Sequence, residues 1–156
     1  MNRKNKGISP VVATVIIVAI AIALAIAVAL WASGLVGIFT RFEEVKVISA
    51  YAEVGTGSLA GGFNVTLTLK NTGSADATID NVIINGKPFS SWTGGITVKI
   101  GGQNLDPNVG YALKAGDQKD MSIEIPQAVG FKSGQTLDIK IHTAAGHDYA
   151  KAVVLP

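Results

Sequence analysis

The stretch that decides the fold is ISPVVATVIIVAIAIALAIAVALWASGLVGIFT, residues 8–40, which contains no charged residue. An apolar run longer than about 18 residues is typical of a membrane-spanning helix. As one helix, its 33 residues would extend about 50 Å, whereas the hydrocarbon core of a bilayer is about 30 Å thick. The run therefore predicts a helix that is longer than the membrane it would cross.

Within this run, large apolar residues alternate with alanine from Val18 to Leu30. Period two is typical of a strand, but strands are usually about 3–10 residues long, and an open strand in lipid leaves backbone groups unpaired. We therefore predict an α-helix with two rows of alanine at spacing four: Ala19, Ala23 and Ala27, and Ala21, Ala25 and Ala29. Such rows let helix backbones approach closely, which favours bundling with copies of the same helix. The other interpretation is that alanine serves only as a good helix former.

The seven residues before the run, MNRKNKG, carry three positive charges and no negative one. Positive residues beside an apolar span stay on the cytoplasmic side of the membrane. We therefore predict a cytoplasmic N-terminus, with the chain from Val45 onward outside the cell.

Ser9 and Pro10 suit the start of a helix. A serine hydroxyl at the N-cap accepts a backbone N–H, and proline at the first helical position needs no N–H partner. Gly7 and Ile8 would then lie in accessible chain just before the helix, where a peptidase could cut.

These residues resemble a known signal. A basic leader that ends in Lys6–Gly7, followed by ISPVVATVIIVAIAIA, is similar to the class III signal peptide of archaeal type IV pilins. The resemblance implies that a prepilin peptidase cuts after Gly7, that the mature chain begins at Ile8, and that the helix becomes the core of a filament. Bacterial pilins usually carry Glu where this chain has Val12. If that Glu helps to set the register of neighbouring subunits in the family, packing of the helices must set it here.

From Val45 the apolar period is two, and short strands alternate with Gly, Asn and Asp turns. The predicted strands are Val45–Val54, Phe63–Lys70, Ala77–Gly86, Ile96–Ile100, Tyr111–Lys114, Lys119–Ile125, Gln135–Thr143 and Tyr149–Leu155. Asn85–Gly86 predicts a hairpin turn, and residues 87–95 predict a loop. Evenly spaced short strands indicate a sandwich or a barrel.

The predicted fold class is therefore α+β: a long N-terminal hydrophobic helix followed by an immunoglobulin-like antiparallel β-sandwich. The domain boundaries that we expect are 1–7 for the leader, 8–42 for the helix and 43–156 for an extracellular sandwich.

Residues able to carry catalysis or bind metal are sparse. The chain has no Cys and two histidines, His142 and His147, with no third ligand at a suitable spacing. Sequence motifs for hydrolases and phosphate loops are absent, so we expect neither enzyme activity, nor a cofactor, nor a metal. The net charge is +2 and no basic block follows the first seven residues, so we do not expect nucleic-acid binding either. Asn64–Val65–Thr66 is an N-glycosylation sequon on the polar side of its strand, which makes Asn64 a candidate for a glycan.

The function expected from the resemblance is that of a pilin. It would be a membrane-inserted precursor that is cut by the prepilin peptidase, passed to a pilus assembly machinery and polymerised with itself into an extracellular filament for adhesion. Alternatives are an archaellin-type motility subunit and a membrane-tethered binding domain, with Phe89, Trp92 and Tyr111 as candidate site residues. An uncut signal anchor and a secretory signal cut near Ala32 are the alternative interpretations of the N-terminus.

Overall fold

The computed structural model describes residues 9–34 and 41–156. The chain divides into two units between Arg41 and Phe42. The first unit contains one α-helix, α1, over Pro10–Ala32. Its 23 residues extend about 35 Å, which matches a hydrocarbon core of about 30 Å more closely than the length expected from the whole apolar run.

Two expectations about this helix are corrected. Ser9 is at the N-cap and Pro10 at the first helical position, but the Ser9 hydroxyl makes no capping hydrogen bond. The predicted continuation to Phe42 is also wrong, because α1 ends at Ala32 and Phe42 lies outside any helix. Gly34 adopts a positive φ of 70° just after the C-cap Ser33, which is a common way for a helix to stop. The predicted helical residues 8 and 35–40 lie outside the described residues.

The second unit, Phe42–Pro156, is built from short strands. They are β1 Val45–Val54, β2 Phe63–Asn71, β3 Ala77–Ile84, β4 Lys87–Pro88, β5 Thr97–Ile100, β6 Gln103–Asn104, β7 Tyr111–Leu113, β8 Gln118–Ile125, β9 Thr136–Thr143 and β10 Asp148–Val154. Single 3-10 turns lie at Gly57–Leu59, Phe89–Ser91 and Gln127–Val129.

The strands form two antiparallel sheets. Sheet A has the order β1-β2-β8-β5-β6, and sheet B has the order β10-β9-β3-β4, with β7 paired to β3. The inward side chains of both sheets join in one apolar core. This arrangement confirms the predicted fold class, a long N-terminal apolar helix followed by an antiparallel β-sandwich.

The alternation of burial along β2 illustrates how the sequence produces the core. Phe63, Val65, Leu67 and Leu69 are buried, whereas the residues between them point outward and are partly or fully exposed. Burying an aliphatic side chain of this size stabilises the fold by roughly 1.5–3 kcal/mol. A one-residue slip would turn these side chains to solvent, so the core fixes the register.

A bulge in β1 sets which residues face out of sheet A. The register with β2 shifts between Val47 and Ser49, which leaves Ile48 54% exposed. Beyond the bulge, Ala50 and Ala52 pack against the core. Tyr51 and Glu53 consequently lie on the outer face.

The eight predicted strands are confirmed with shifts of one or two residues at their ends. The Asn85–Gly86 turn is also confirmed, because both residues have positive φ, 48° and 80°, as a tight hairpin turn with the twist of the strands requires. The two-residue strands β4 and β6 were not predicted, and β4 occupies the start of the expected loop at residues 87–95.

Candidate functional site: an exposed apolar helix

Helix α1 buries none of its residues in the described structure. Twelve Val, Ile and Leu side chains along it are between 46% and 70% exposed, and Trp31 is 74% exposed. By length and composition α1 could cross a membrane, a property that an N-terminal signal sequence shares. A helix that is apolar all round is stable only when its whole surface leaves water.

Two hydroxyl groups on this segment are satisfied locally. Thr14 Oγ1 donates to the carbonyl oxygen of Val11 at 2.9 Å, and Ser33 Oγ donates to that of Leu30 at 2.9 Å. Because the helix also pairs its own backbone groups, its surface presents few polar groups that need water. The surface is therefore suited to lipid or to other apolar helices.

The six predicted packing residues all lie within α1 and are exposed. Neighbouring positions on an α-helix are about 100° apart, so the row centred on Ala23 and the row centred on Ala25 lie about 200° apart. The two rows are therefore on nearly opposite sides of the helix. Two opposite small-residue surfaces can receive two different helix neighbours, whereas one row would serve a pair.

The predicted cleavage point, Gly7 and Ile8, lies outside the described residues, as do Arg3, Lys4 and Lys6. The cut therefore stays a prediction.

The first residues of the sandwich are held by the turn that follows β2. The carbonyl oxygen of Phe42 accepts from the N–H groups of Ser74 and Ala75 at 2.9 and 3.0 Å. Thr72 donates from its backbone to the carbonyl oxygen of Glu44 at 2.8 Å and from its hydroxyl to the Glu44 carboxylate at 2.7 Å. The hydrogen bond from Thr72 lowers the pKa of that carboxyl. The beginning of the sandwich is thus tied into its fold.

The three aromatic residues proposed for a binding site are placed in or against the core. Phe89 is 7% exposed, and Trp92 and Tyr111 pack against the buried cluster. The ring centroids of Trp92 and Phe131 lie 5.1 Å apart. The Lys87 ammonium lies 5.2 Å from the centroid of the Trp92 ring. These three residues form part of the packing of the sandwich.

The two histidines make separate contacts. His142 Nδ1 lies 2.7 Å from Asp148 Oδ1, across the paired strands β9 and β10. This hydrogen bond raises the pKa of His142, with a smaller contribution from the charge of Asp80. His147 instead packs its ring against Tyr149, with centroids 6.4 Å apart. Among residues 9–34 and 41–156 no group of three metal-binding side chains is found.

Asn64, the sequon residue, lies on β2 between β1 and β8 and faces out of sheet A, as the alternation predicts. Its side chain is only partly exposed, and its Oδ1 is shielded from solvent without a hydrogen-bond partner among the described residues. Whether it carries a glycan stays a prediction. Asn64 lies in a polar cleft that sequence reasoning missed.

Comparison with known proteins gives loose likenesses. No family model matches the chain, and no curated protein matches it. Among solved structures, the archaellum periplasmic stator protein FlaG from Sulfolobus acidocaldarius is 19% identical with a TM-score of 0.46, covering 71% of this chain and 99% of that one. The Iho670 flagellar-like filament is 13% identical with a TM-score of 0.43, covering 94% of this chain and 98% of that one. The copper-bound PCuAC domain from PmoF2 is 8% identical with a TM-score of 0.46, covering 73% and 97%. At these TM-scores none of the likenesses transfers a function to this chain.

Proposed function

We propose that the chain is a pilin, a structural subunit of an extracellular archaeal type IV pilus-like filament, and that the filament serves adhesion. The observation that carries this proposal is the helix α1, 23 residues long, apolar on every side and without a buried residue. The class III signal-like leader before it and the β-sandwich after it complete the expected build of such a subunit.

The exposed surface of α1 cannot remain in water. Full burial of an aliphatic side chain is worth roughly 1.5–3 kcal/mol. The twelve Val, Ile and Leu side chains of α1 are between 46% and 70% exposed, so burying what remains exposed is worth on the order of 10–20 kcal/mol in total. Either lipid or a bundle of like helices can supply that burial. The precursor would use the first and the filament the second.

Transfer of α1 from lipid to a bundle must be driven by packing, because lipid tails are as apolar as the helix surface. The rows centred on Ala23 and Ala25 allow close backbone contact on nearly opposite sides. Helices with contacts on two sides can continue to add neighbours, which is what a filament core requires.

Cleavage between Gly7 and Ile8 would release the helix for this transfer. The leader contains Arg3, Lys4 and Lys6, and placing each charge in the hydrocarbon core costs on the order of 2.5–3.5 kcal/mol on insertion scales. After the cut, the remaining helix can leave the bilayer without those charges. The partners that this route requires are a prepilin peptidase, an assembly machinery and further copies of the chain.

The alanine rows supply the test. We expect Ala23→Leu and Ala27→Leu to leave membrane insertion intact and to reduce filament yield, because the added bulk separates neighbouring helices at a cost of about 1–3 kcal/mol per site. Ile22→Leu, which changes shape but not volume on the same helix, is the matched control and should assemble normally. Filament yield is measured by pelleting and electron microscopy. A normal yield from both Ala23→Leu and Ala27→Leu would contradict close packing along the alanine rows.

The two alternative functions, a motility filament and a tethered binding domain, predict different outcomes. A motility filament would make a deletion strain lose swimming while it keeps its adhesion. A tethered binding domain would leave detergent extracts with a stable monomer that retains the whole helix and would give no filaments at all.

A further inference from the structure

A polar cleft of about 360 Å³ opens on the outer face of sheet A, beside the connection from β1 to β2. Its floor is formed by Glu53 on β1, Asn64 on β2, Glu124 on β8 and Lys99 on β5, and its wall by Thr56, Ser58 and Leu59. The wall is held in place by backbone hydrogen bonds from Gly55 to Gly62 and from Gly62 to Leu59, both 2.9 Å.

The floor is assembled by strand register. Glu53 is paired with Asn64, and Asn64 with Glu124, so three outward side chains stand in one row across three strands. Lys99 Nζ reaches from the adjacent row to Glu124 Oε1 at 2.6 Å. Directly opposed side chains in a sheet have Cβ atoms about 4.5–5.5 Å apart, so one small molecule can contact the whole row.

The Asn64 side chain is not explained by the fold. Its Oδ1 is shielded from solvent and has no hydrogen-bond partner among the described residues. Buried polar groups in folded proteins nearly always have a hydrogen-bond partner, so Asn64 is a position in the cleft floor that the packing of the sandwich does not account for.

We propose that this cleft binds a neutral carbohydrate. The carboxylates of Glu53 and Glu124 accept hydrogen bonds from sugar hydroxyls, and Lys99 and the hydroxyls of Thr56 and Ser58 donate to them. Tyr51 lies on the same strand and face, two residues before Glu53, and is 49% exposed. Its ring offers a flat apolar surface to the C–H face of a sugar beside the polar floor.

The charges of the cleft select among ligands. Glu53 and Glu124 against Lys99 leave one net negative charge, which disfavours acidic sugars and phosphates. A divalent cation is disfavoured as well, because the Lys99 ammonium already contacts Glu124 at 2.6 Å. A glycan on Asn64 Nδ2 would compete for the same space, so the sugar site is open only in chains whose sequon is unmodified.

Sugar binding by the cleft is independent of the proposed filament function. It is tested on unassembled protein, so sugar binding and filament assembly can fail separately. The full chain is produced in a host without N-glycosylation, held in detergent micelles and applied to an array of neutral and acidic glycans. Array hits are then titrated by calorimetry, and calcium chloride alone is titrated in parallel. We expect a neutral glycan to bind with a Kd of about 1 mM or tighter.

Variants locate the site. Glu124→Gln and Tyr51→Ala should each weaken binding about tenfold or more, a change of about 1.4 kcal/mol, while Tyr51→Phe should retain it because the ring is kept. Asp138→Asn, on the exposed face of sheet B, is the control and should bind as the parent does. The proposal is overturned by an array without neutral hits, by affinity unchanged in both cleft variants, or by binding of calcium alone.

Discussion

Asn71, the last residue of β2, is fully buried, and replacing it should destabilise the sandwich strongly. Its Nδ2 donates to the carbonyl oxygens of Ala75 at 2.8 Å and Leu113 at 2.9 Å, and its Oδ1 accepts from the N–H of Gly73 at 2.9 Å. One side chain therefore joins β2, the turn that follows it and the end of β7. All of its hydrogen-bonding groups except one lone pair are used.

Two replacements of Asn71 separate the loss of its hydrogen bonds from the introduction of a charge. Asn71→Leu keeps the branching of the side chain, puts bulkier methyl groups in place of the amide atoms and leaves three polar groups without their partner. At about 1–3 kcal/mol for a fully buried group and less for the two part-buried ones, with overpacking added, we expect a loss of at least roughly 2–4 kcal/mol. Asn71→Asp keeps the shape but turns a carboxylate toward two carbonyl oxygens. Burial and this repulsion would raise the pKa of the new carboxyl in the folded state.

The sign of the pH effect follows from linkage. A carboxyl whose folded pKa lies above its unfolded value of about 3.9 weakens the fold as pH rises, since the unfolded chain ionises more easily. We therefore expect Asn71→Asp to be far less stable than the parent at neutral pH and to recover part of the loss near pH 4, where a protonated carboxyl can donate one hydrogen bond.

Urea unfolding of the full chain in micelles, from about pH 4 to 8, measures these differences, with the linear extrapolation used for each variant. Asn104→Asp, on the exposed strand β6, is the matched control and should change stability by no more than about 0.5 kcal/mol. A loss below about 1 kcal/mol for Asn71→Leu, or a pH-independent loss for Asn71→Asp, would refute the reasoning.

Two further substitutions test other contacts. Gly73→Ala should lower stability by about 1–3 kcal/mol, because the added Cβ would collide with the carbonyl oxygen of Phe42 and lie 2.7 Å from the Glu44 nitrogen; a Tm equal to that of the parent would contradict the geometry. His142→Gln should cost most stability below pH 6.5 and progressively less above it, since the hydrogen bond to Asp148 raises the pKa of His142 and that stability is lost as pH rises through the folded pKa. The effect should be small because the pair is exposed, and a parallel pH profile for parent and variant would exclude it.

The sequence predicts most of the sandwich because the strands bury every second residue. The alternation that places Phe63 and Leu69 inward also reaches Asn71, so its burial could have been inferred from the pattern. Its hydrogen-bond partner, the carbonyl oxygen of Leu113, is 42 positions away in the chain, so the sequence pattern could not have predicted this contact. Local propensity favours a turn at Asn-Thr-Gly-Ser, and the tertiary contact decides how Asn71 is used.

The candidate sites differ in how far the sequence specifies them. The apolar run gives helix α1 and its alanine rows directly, apart from the C-terminal end, where Gly34 stops the helix earlier than composition suggests. The cleft depends on the bulge in β1, which brings Glu53 and Tyr51 to the outer face beside Asn64. Single-residue bulges leave no mark in a pattern of this length, so simple alternation from Val45 would turn Tyr51 inward.

The measurement that tests the central claim most directly is the N-terminal sequence and intact mass of the chain in filaments purified from native cells. The proposal predicts filaments whose subunits begin at Ile8 and therefore lack the leader residues MNRKNKG. Gly7→Leu should block the cut and leave unassembled precursor in the membrane, whereas Asn5→Leu should still be processed. A chain that begins at Met1 and forms no filaments would indicate a signal anchor, and one that begins near Ser33 would indicate a secreted domain; either result would contradict the pilin.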